Sequence, residues 1–169
     1  TPGSTVLKGV NTYTGNTTNS AGNITINGSG RFGNGAGILA LEGGSLTLSA
    51  NRALGNTLQN PVVMSADTTI QNSSAATTAI LFRHGGTWTT AGGILTIKNI
   101  TSGVGGSFDV VLTNAFTFTQ PIDIGASGDT LPCQLSWFNL PGTDQVFGAE
   151  ISGYGTFRRS VSWRVLAGR

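Results

Sequence analysis

Apolar and hydroxyl residues alternate in short runs along this chain: Ile24-Thr25-Ile26, Leu46-Thr47-Leu48, Leu95-Thr96-Ile97, Phe116-Thr117-Phe118 and Leu135-Ser136-Trp137. A period of two puts the large apolar side chains on one face of an extended segment and the hydroxyl on the other, as a half-buried strand requires. No convincing period of a helix face is present anywhere. Turn formers separate the runs, among them Asn27-Gly28-Ser29-Gly30, Gly43-Gly44, Gly85-Gly86, Gly92-Gly93 and Gly105-Gly106. The pattern predicts an all-β chain.

The central hydroxyls are regularly spaced. They fall at Thr25, Thr47, Thr69, Thr96, Thr117 and Ser136, so that the successive steps are 22, 22, 27, 21 and 19. Further apolar runs at Ile38 to Leu41, Pro61 to Met64, Ala79 to Phe82, Phe108 to Leu112 and Glu150 to Ser152 read as second strands of the same rungs. A period of roughly 22 residues, with two or three short strands and Gly or Asn corners in each, is the pattern of a β-solenoid. One coil cannot bury its own apolar face; coils stacked about 4.8 Å apart can. The spacing predicts a single domain over 1–169 with seven to eight coils. A β-sandwich is the competing all-β fold. The repeated triplets, which imply stacked like residues, and corners suited to φ > 0 favour the solenoid.

Composition sharpens this picture. Gly, Thr, Ser and Asn number 26, 24, 15 and 13 of 169 residues, and only 9% are charged. That excludes coiled coils and helix bundles, which need Ala, Glu, Lys and Leu in quantity. With 38% apolar residues and a net charge of +2, the chain is not a disordered one. No run approaches the roughly 20 apolar residues of a membrane helix. Four of the nine positive residues, Arg158, Arg159, Arg164 and Arg169, cluster near the end, without the basic and aromatic stripe that nucleic-acid binding needs. Thr1 to Val10 carries no leader pattern, which leaves a cytosolic, processed or excerpted chain.

Leu7-Lys8-Gly9-Val10-Asn11-Thr12-Tyr13-Thr14-Gly15-Asn16-Thr17-Thr18, followed by Ala21-Gly22-Asn23-Ile24-Thr25-Ile26, resembles the autotransporter-associated β-strand repeat of large bacterial surface proteins. Ile151-Ser152-Gly153-Tyr154-Gly155-Thr156-Phe157-Arg158 is similar to the segment that often precedes the next such repeat. The resemblance implies a right-handed parallel β-helix, exported and displayed at a bacterial cell surface, serving as a passenger stalk, spacer or adhesin scaffold. Asn19 stands where the family has a β-branched apolar residue, which implies an outward side chain; Ser160-Val161-Ser162 stands where Gly-rich residues are the rule.

Chemistry is sparse. The acids are Glu42, Asp67, Asp109, Asp123, Asp129, Asp144 and Glu150. Glycoside hydrolysis needs two carboxylates roughly 5–9.5 Å apart. Asp123 and Asp129 flank one turn, and a coil of the expected length would align Glu42 with Asp67 or Asp123 with Asp144. His84 lacks the preceding Gly of the Gly-His-Gly signature of β-helix hydrolases, and one His with one Cys, Cys133, cannot make a clustered zinc site. These features predict no catalytic, cofactor or metal residues. Asn11 is expected at a tight corner with the Tyr13 ring over a neighbouring coil, and Cys133 is expected as a small buried hydrophobe. The alternative is a carbohydrate-binding or carbohydrate-cleaving β-helix acting on a surface glycan, with Trp88, Trp137 or Trp163 as stacking platforms if any lies outside.

What remains is the rod. Val6-Leu7-Lys8-Gly9 is echoed by Val165-Leu166-Ala167-Gly168, as though one unit were cut from a longer solenoid. A solenoid end leaves strand backbone without a partner. The expected contact is therefore homopolymeric, with Val6, Leu7 and Lys8 of one unit against Trp163, Arg164, Val165 and Leu166 of the next.

Overall fold

Three parallel sheets wind around one apolar column in the computed structural model, which describes residues 2–50, 57–74, 80–100, 106–125, 132–138 and 144–160. The seven-stranded sheet stacks β1 (Ser4–Lys8), β3 (Asn23–Asn27), β5 (Ser45–Leu48), β7 (Thr68–Asn72), β10 (Leu95–Asn99), β13 (Ile122–Ile124) and β16 (Ile151–Ser152) in that order. The six-stranded sheet stacks β2 (Thr17–Asn19), β4 (Leu39–Leu41), β6 (Val62–Met64), β9 (Trp88–Thr90), β12 (Phe116–Phe118) and β15 (Gln145–Phe147). The third sheet holds β8 (Ile80–His84), β11 (Phe108–Leu112), β14 (Cys133–Phe138) and β17 (Thr156–Ser160). Every described strand pair is parallel, and neighbours come from successive circuits. Parallel neighbours need long connections. Here the connection is the rest of the coil, so the fold is a β-solenoid.

The coil lengthens along the chain. Ser4 lies opposite Asn23 and Asn23 opposite Ser45, steps of 19 and then 22. Ser45 lies opposite Thr69, then Thr68 opposite Leu95, Leu95 opposite Ile122 and Ile122 opposite Ile151, steps of 24, 27, 27 and 29. The added length arrives with the third sheet, whose first strand is β8. The solenoid therefore makes five to six turns rather than the seven to eight coils expected from a constant period. The hydroxyl series is corrected at the same point. Thr25 and Thr47 share a row, as do Thr69 and Thr96, but Thr117 belongs to the six-stranded sheet and Ser136 to the four-stranded one. Ile151–Ser152 continues the seven-stranded sheet instead of forming a second strand.

Inward positions stack in rows that grow wider with the coil. Ile24, Leu46, Ile70, Ile97 and Ile124 form one such row, all buried. Each such aliphatic side chain taken out of water contributes about 1.5–3 kcal/mol. In the longer, later coils the fill becomes aromatic. Trp88 stands 6.1 Å from Phe118, Phe116 lies 5.2 Å from Phe118, and Trp137 and Phe147 each pack on Phe157 at 4.4 and 4.6 Å. A wider lumen must be filled to crystal-like density, and larger rings do that.

Asparagine does not hold the positive-φ corner positions expected of it. Among the described residues every positive φ belongs to glycine. The Asn side chains instead bracket adjacent coils. Asn72 donates to Asn99 Oδ1 at 3.0 Å, and Asn99 donates to the Gly106 carbonyl, both side chains buried. Asn114 Nδ2 reaches the Gly85 carbonyl at 2.8 Å, and Asn16 Oδ1 accepts from the Ile38 amide at 2.9 Å. Asn19, expected to point outward, is 4% exposed and its Nδ2 donates to the Ser45 carbonyl. An inward amide is tolerated there because the neighbouring coil supplies an acceptor.

Asn60 is the most committed of these brackets, since its buried Nδ2 donates to both the Phe32 and Gly37 carbonyls at 2.8 Å. Asn60→Ala removes both donors and leaves buried carbonyls unpaired. Urea unfolding should show a loss of about 2–3 kcal/mol, in line with roughly 1–3 kcal/mol for an orphaned buried polar group.

Candidate functional site

The edge of β1 is the first candidate. Asn23 N donates to the Gly3 carbonyl at 3.0 Å. In a parallel ladder that bond makes odd-numbered residues of β1 face β3 and turns the N–H and C=O of Ser4 and Val6 off the edge. Val6 is 50% exposed, while Leu7 packs on the core in line with Ile26 and Leu48. Lys8 is exposed at the end of the strand. Trp163, Arg164, Val165 and Leu166, the expected partners, lie outside the described residues. Among the described residues the other end is bounded by β15, β16 and β17, with Val146, Ile151 and Tyr154 exposed.

The second candidate is a polar strip on the outer face of the four-stranded sheet. Asp109 lies opposite Gln134 in register, and Val111 lies between Arg83 and Ser136. Ser136 Oγ donates to Asp109 Oδ1 at 2.7 Å, and Gln134 Nε2 reaches Oδ2 at 3.3 Å. Burial raises the Asp109 carboxyl above its usual range; the Ser136 hydroxyl, Arg83, Arg158 and Gln134 pull it back in part. Sequence reading missed this strip, although both Asp109 and Ser136 sit at outward positions of alternating runs. They are 27 residues apart, and only the longer coil makes them neighbours.

Neither of the carboxylate pairs expected across neighbouring coils forms. Leu41 lies opposite Met64, so Ser65 and not Asp67 comes level with Glu42. Asp67 Oδ1 caps the Ile94 amide at 2.9 Å. Asp123 belongs to the seven-stranded sheet, whereas Asp144 abuts the six-stranded one, its carbonyl accepting from Phe116 N at 3.1 Å. Asp129 lies outside the described residues. Among the described residues no three His, Cys, Asp or Glu side chains converge as metal ligands.

The remaining singled-out residues are packing elements. Trp88 is buried, Trp137 is half-buried against the core, and Trp163 lies outside the described residues. Neither described indole stands as an outward sugar platform. Asn11 Nδ2 donates to the Arg31 carbonyl at 2.8 Å, one coil on. The Tyr13 ring stands over Gly33, where a Cβ would meet its Cδ2 at 2.9 Å, and its hydroxyl pairs with Thr17 Oγ1 at 2.7 Å. Cys133 is buried on the inner face of β14. Compared with protein-family models, curated proteins and solved structures, the chain matches none of them.

Proposed function

We propose that this chain is a non-catalytic structural module, a β-solenoid segment acting as stalk, spacer or adhesin scaffold of an exported bacterial surface protein, extended by coil-on-coil stacking. The observation that carries the reading is the edge of β1, where outward Ser4 and Val6 backbone groups border a column whose inner row continues through Leu7. Such an edge is a template for one more parallel rung. Stacked coils cover one another's apolar faces, so each added coil stabilises its neighbour and the assembly grows as a rod. Placement at a bacterial surface draws on the similarity of residues 7–18 and 151–158 to the repeat of surface-displayed passengers.

The test is the size of the purified chain across concentration, by light scattering and electron microscopy. Linear polymers are expected. Val6→Pro removes an N–H that points off the edge while sparing the bonds to β3, so it should leave the fold intact and shorten the polymers to single units. A chain that stays monomeric at every concentration would sink the stacking.

A further inference from the structure

Beside Asp109, the four-stranded sheet turns a second column of side chains outward. Arg83 lies opposite Val111, Val111 opposite Ser136 and Ser136 opposite Arg158. The two arginines therefore share one outer column, three rungs or about 14 Å apart along the backbone stack. Val111 and Ser136 between them are 3% and 4% exposed, a closed floor with a cation at each end. Asp109, next to that floor, is already engaged: Ser136 Oγ donates to one carboxylate oxygen and Gln134 Nε2 to the other. Among the described residues neither guanidinium has a hydrogen bond or ion pair with a side-chain acceptor, although both act on the Asp109 charge. Each arginine thus keeps a planar fork of N–H donors, the shape that matches a carboxylate.

Tyr154 adds an aromatic surface just before β17. It is 79% exposed. Gly155 beside it faces the interior, where a Cβ would run into Ile124 and the Cys133 carbonyl, so the backbone turns Tyr154 outward. Tyr154 N donates to the Gly125 carbonyl at 3.1 Å, which fixes the base of the ring to the coil before. Tyr154, Thr156 and Arg158 are exposed at alternate positions of one rung.

We propose that this outer face binds an acidic oligosaccharide, a chain of uronate sugars whose carboxylates pair with Arg83 and Arg158 while one sugar ring lies on Tyr154. The class follows from the chemistry. Duplex nucleic acid carries a charge about every 1.7 Å and needs a dense basic stripe, whereas this face offers two cations with a carboxylate on a rung between them. Sugar rings hold carboxylates apart, and their C–H faces pack on an aromatic ring that keeps one edge in water. The two arginines are carried by strands bonded to their neighbours, so their spacing is set before a ligand arrives and little backbone ordering is required. The site lies on the flank of the rod and is independent of stacking at its ends.

Amide NMR of the full chain titrated with a short oligogalacturonate is the test. Shifts centred on β11, β14 and β17 are expected, with none from a neutral maltooligosaccharide of the same length. Arg158→Gln should weaken binding about tenfold, the loss of one charge-assisted pair. Tyr154→Ala should weaken it about threefold. Both side chains are exposed, so their urea midpoints should match that of the wild type. Arg158→Lys keeps the charge without the fork and should recover only part of the loss. Lys98→Gln, on the seven-stranded sheet, should bind as the wild type does. Shifts absent from these three strands, equal affinity for polyglutamate, an equal loss in Lys98→Gln, or undiminished binding in both Arg158→Gln and Tyr154→Ala would overturn the proposal.

Discussion

Phe118→Ala should lower the unfolding free energy by about 3–5 kcal/mol, the cost of emptying a large aromatic site in a packed core. The residue is 1% exposed and stands at the centre of the aromatic column, 6.1 Å from Trp88, 5.2 Å from Phe116 and 6.3 Å from Phe147. Those rings come from three successive rungs of the six-stranded sheet, so the cavity opens across two coil junctions at once. Collapse to fill it is limited, because each ring is carried on a strand held by ladder bonds to its neighbours. In a domain stabilised by about 5–15 kcal/mol this is a large fraction of the total. Nearest-neighbour coupling gives the loss a direction: hydrogen exchange should quicken from β9 through β15 while β3 and β5 keep their protection. Uniform acceleration along the whole rod would show that the coils unfold as one unit instead.

Gly44→Val is expected to cost more than about 3 kcal/mol, seen as a lower urea midpoint. Gly44 has φ +77°, a region where an L side chain is strained by roughly 1–2 kcal/mol and a β-branched one by more. Sterics add to strain. A Cβ there would run into the Gly22 carbonyl and lie 2.9 Å from the Gly22 amide nitrogen. That carbonyl accepts the bond from Ser45 N at 2.8 Å, and the Gly44 carbonyl accepts from Thr69 N at 3.0 Å, so a shift to relieve the clash disturbs both neighbouring rungs. Gly28 is the control. It too has positive φ, +52°, but a Cβ there meets nothing within 4 Å, so Gly28→Ala should cost only about 1 kcal/mol. Equal losses at both positions would mean that backbone strain and not the neighbouring coil sets the requirement for glycine.

The two substitutions also mark how far the residues can be read without coordinates. Gly43-Gly44 announces a turn, and Phe116-Thr117-Phe118 announces a strand with its rings on one face; both are observed. Which coil lies against them is not announced. The inward placing of Asn19 and the buried amide of Asn72 escape the sequence for the same reason. An amide reads as a surface or corner residue until the carbonyl or amide beside it is known, and those partners are 26 and 27 residues away. The free edge of β1 is half legible: the alternation of Val6 and Leu7 places one outward and one inward, but which backbone groups leave the edge follows only from the bond between Asn23 and Gly3.

By itself the sequence determined the local terms: period-two alternation, glycine at the turns, and hence an all-β solenoid with identifiable inner faces. These depend on close neighbours along the chain, which carries them wherever it folds. Tertiary structure decided everything that crosses from one coil to the next. It moved Thr117 and Ser136 out of the row begun by Thr25, separated Asp123 from Asp144, joined Asp109 to Ser136 and set His84 against Trp88. The physical reason is that lateral contact depends on coil length, which grows from the short step between Ser4 and Asn23 to the long one between Ile122 and Ile151 as a third sheet is added. One residue more or less in a connection reassigns every side chain that meets across the rung.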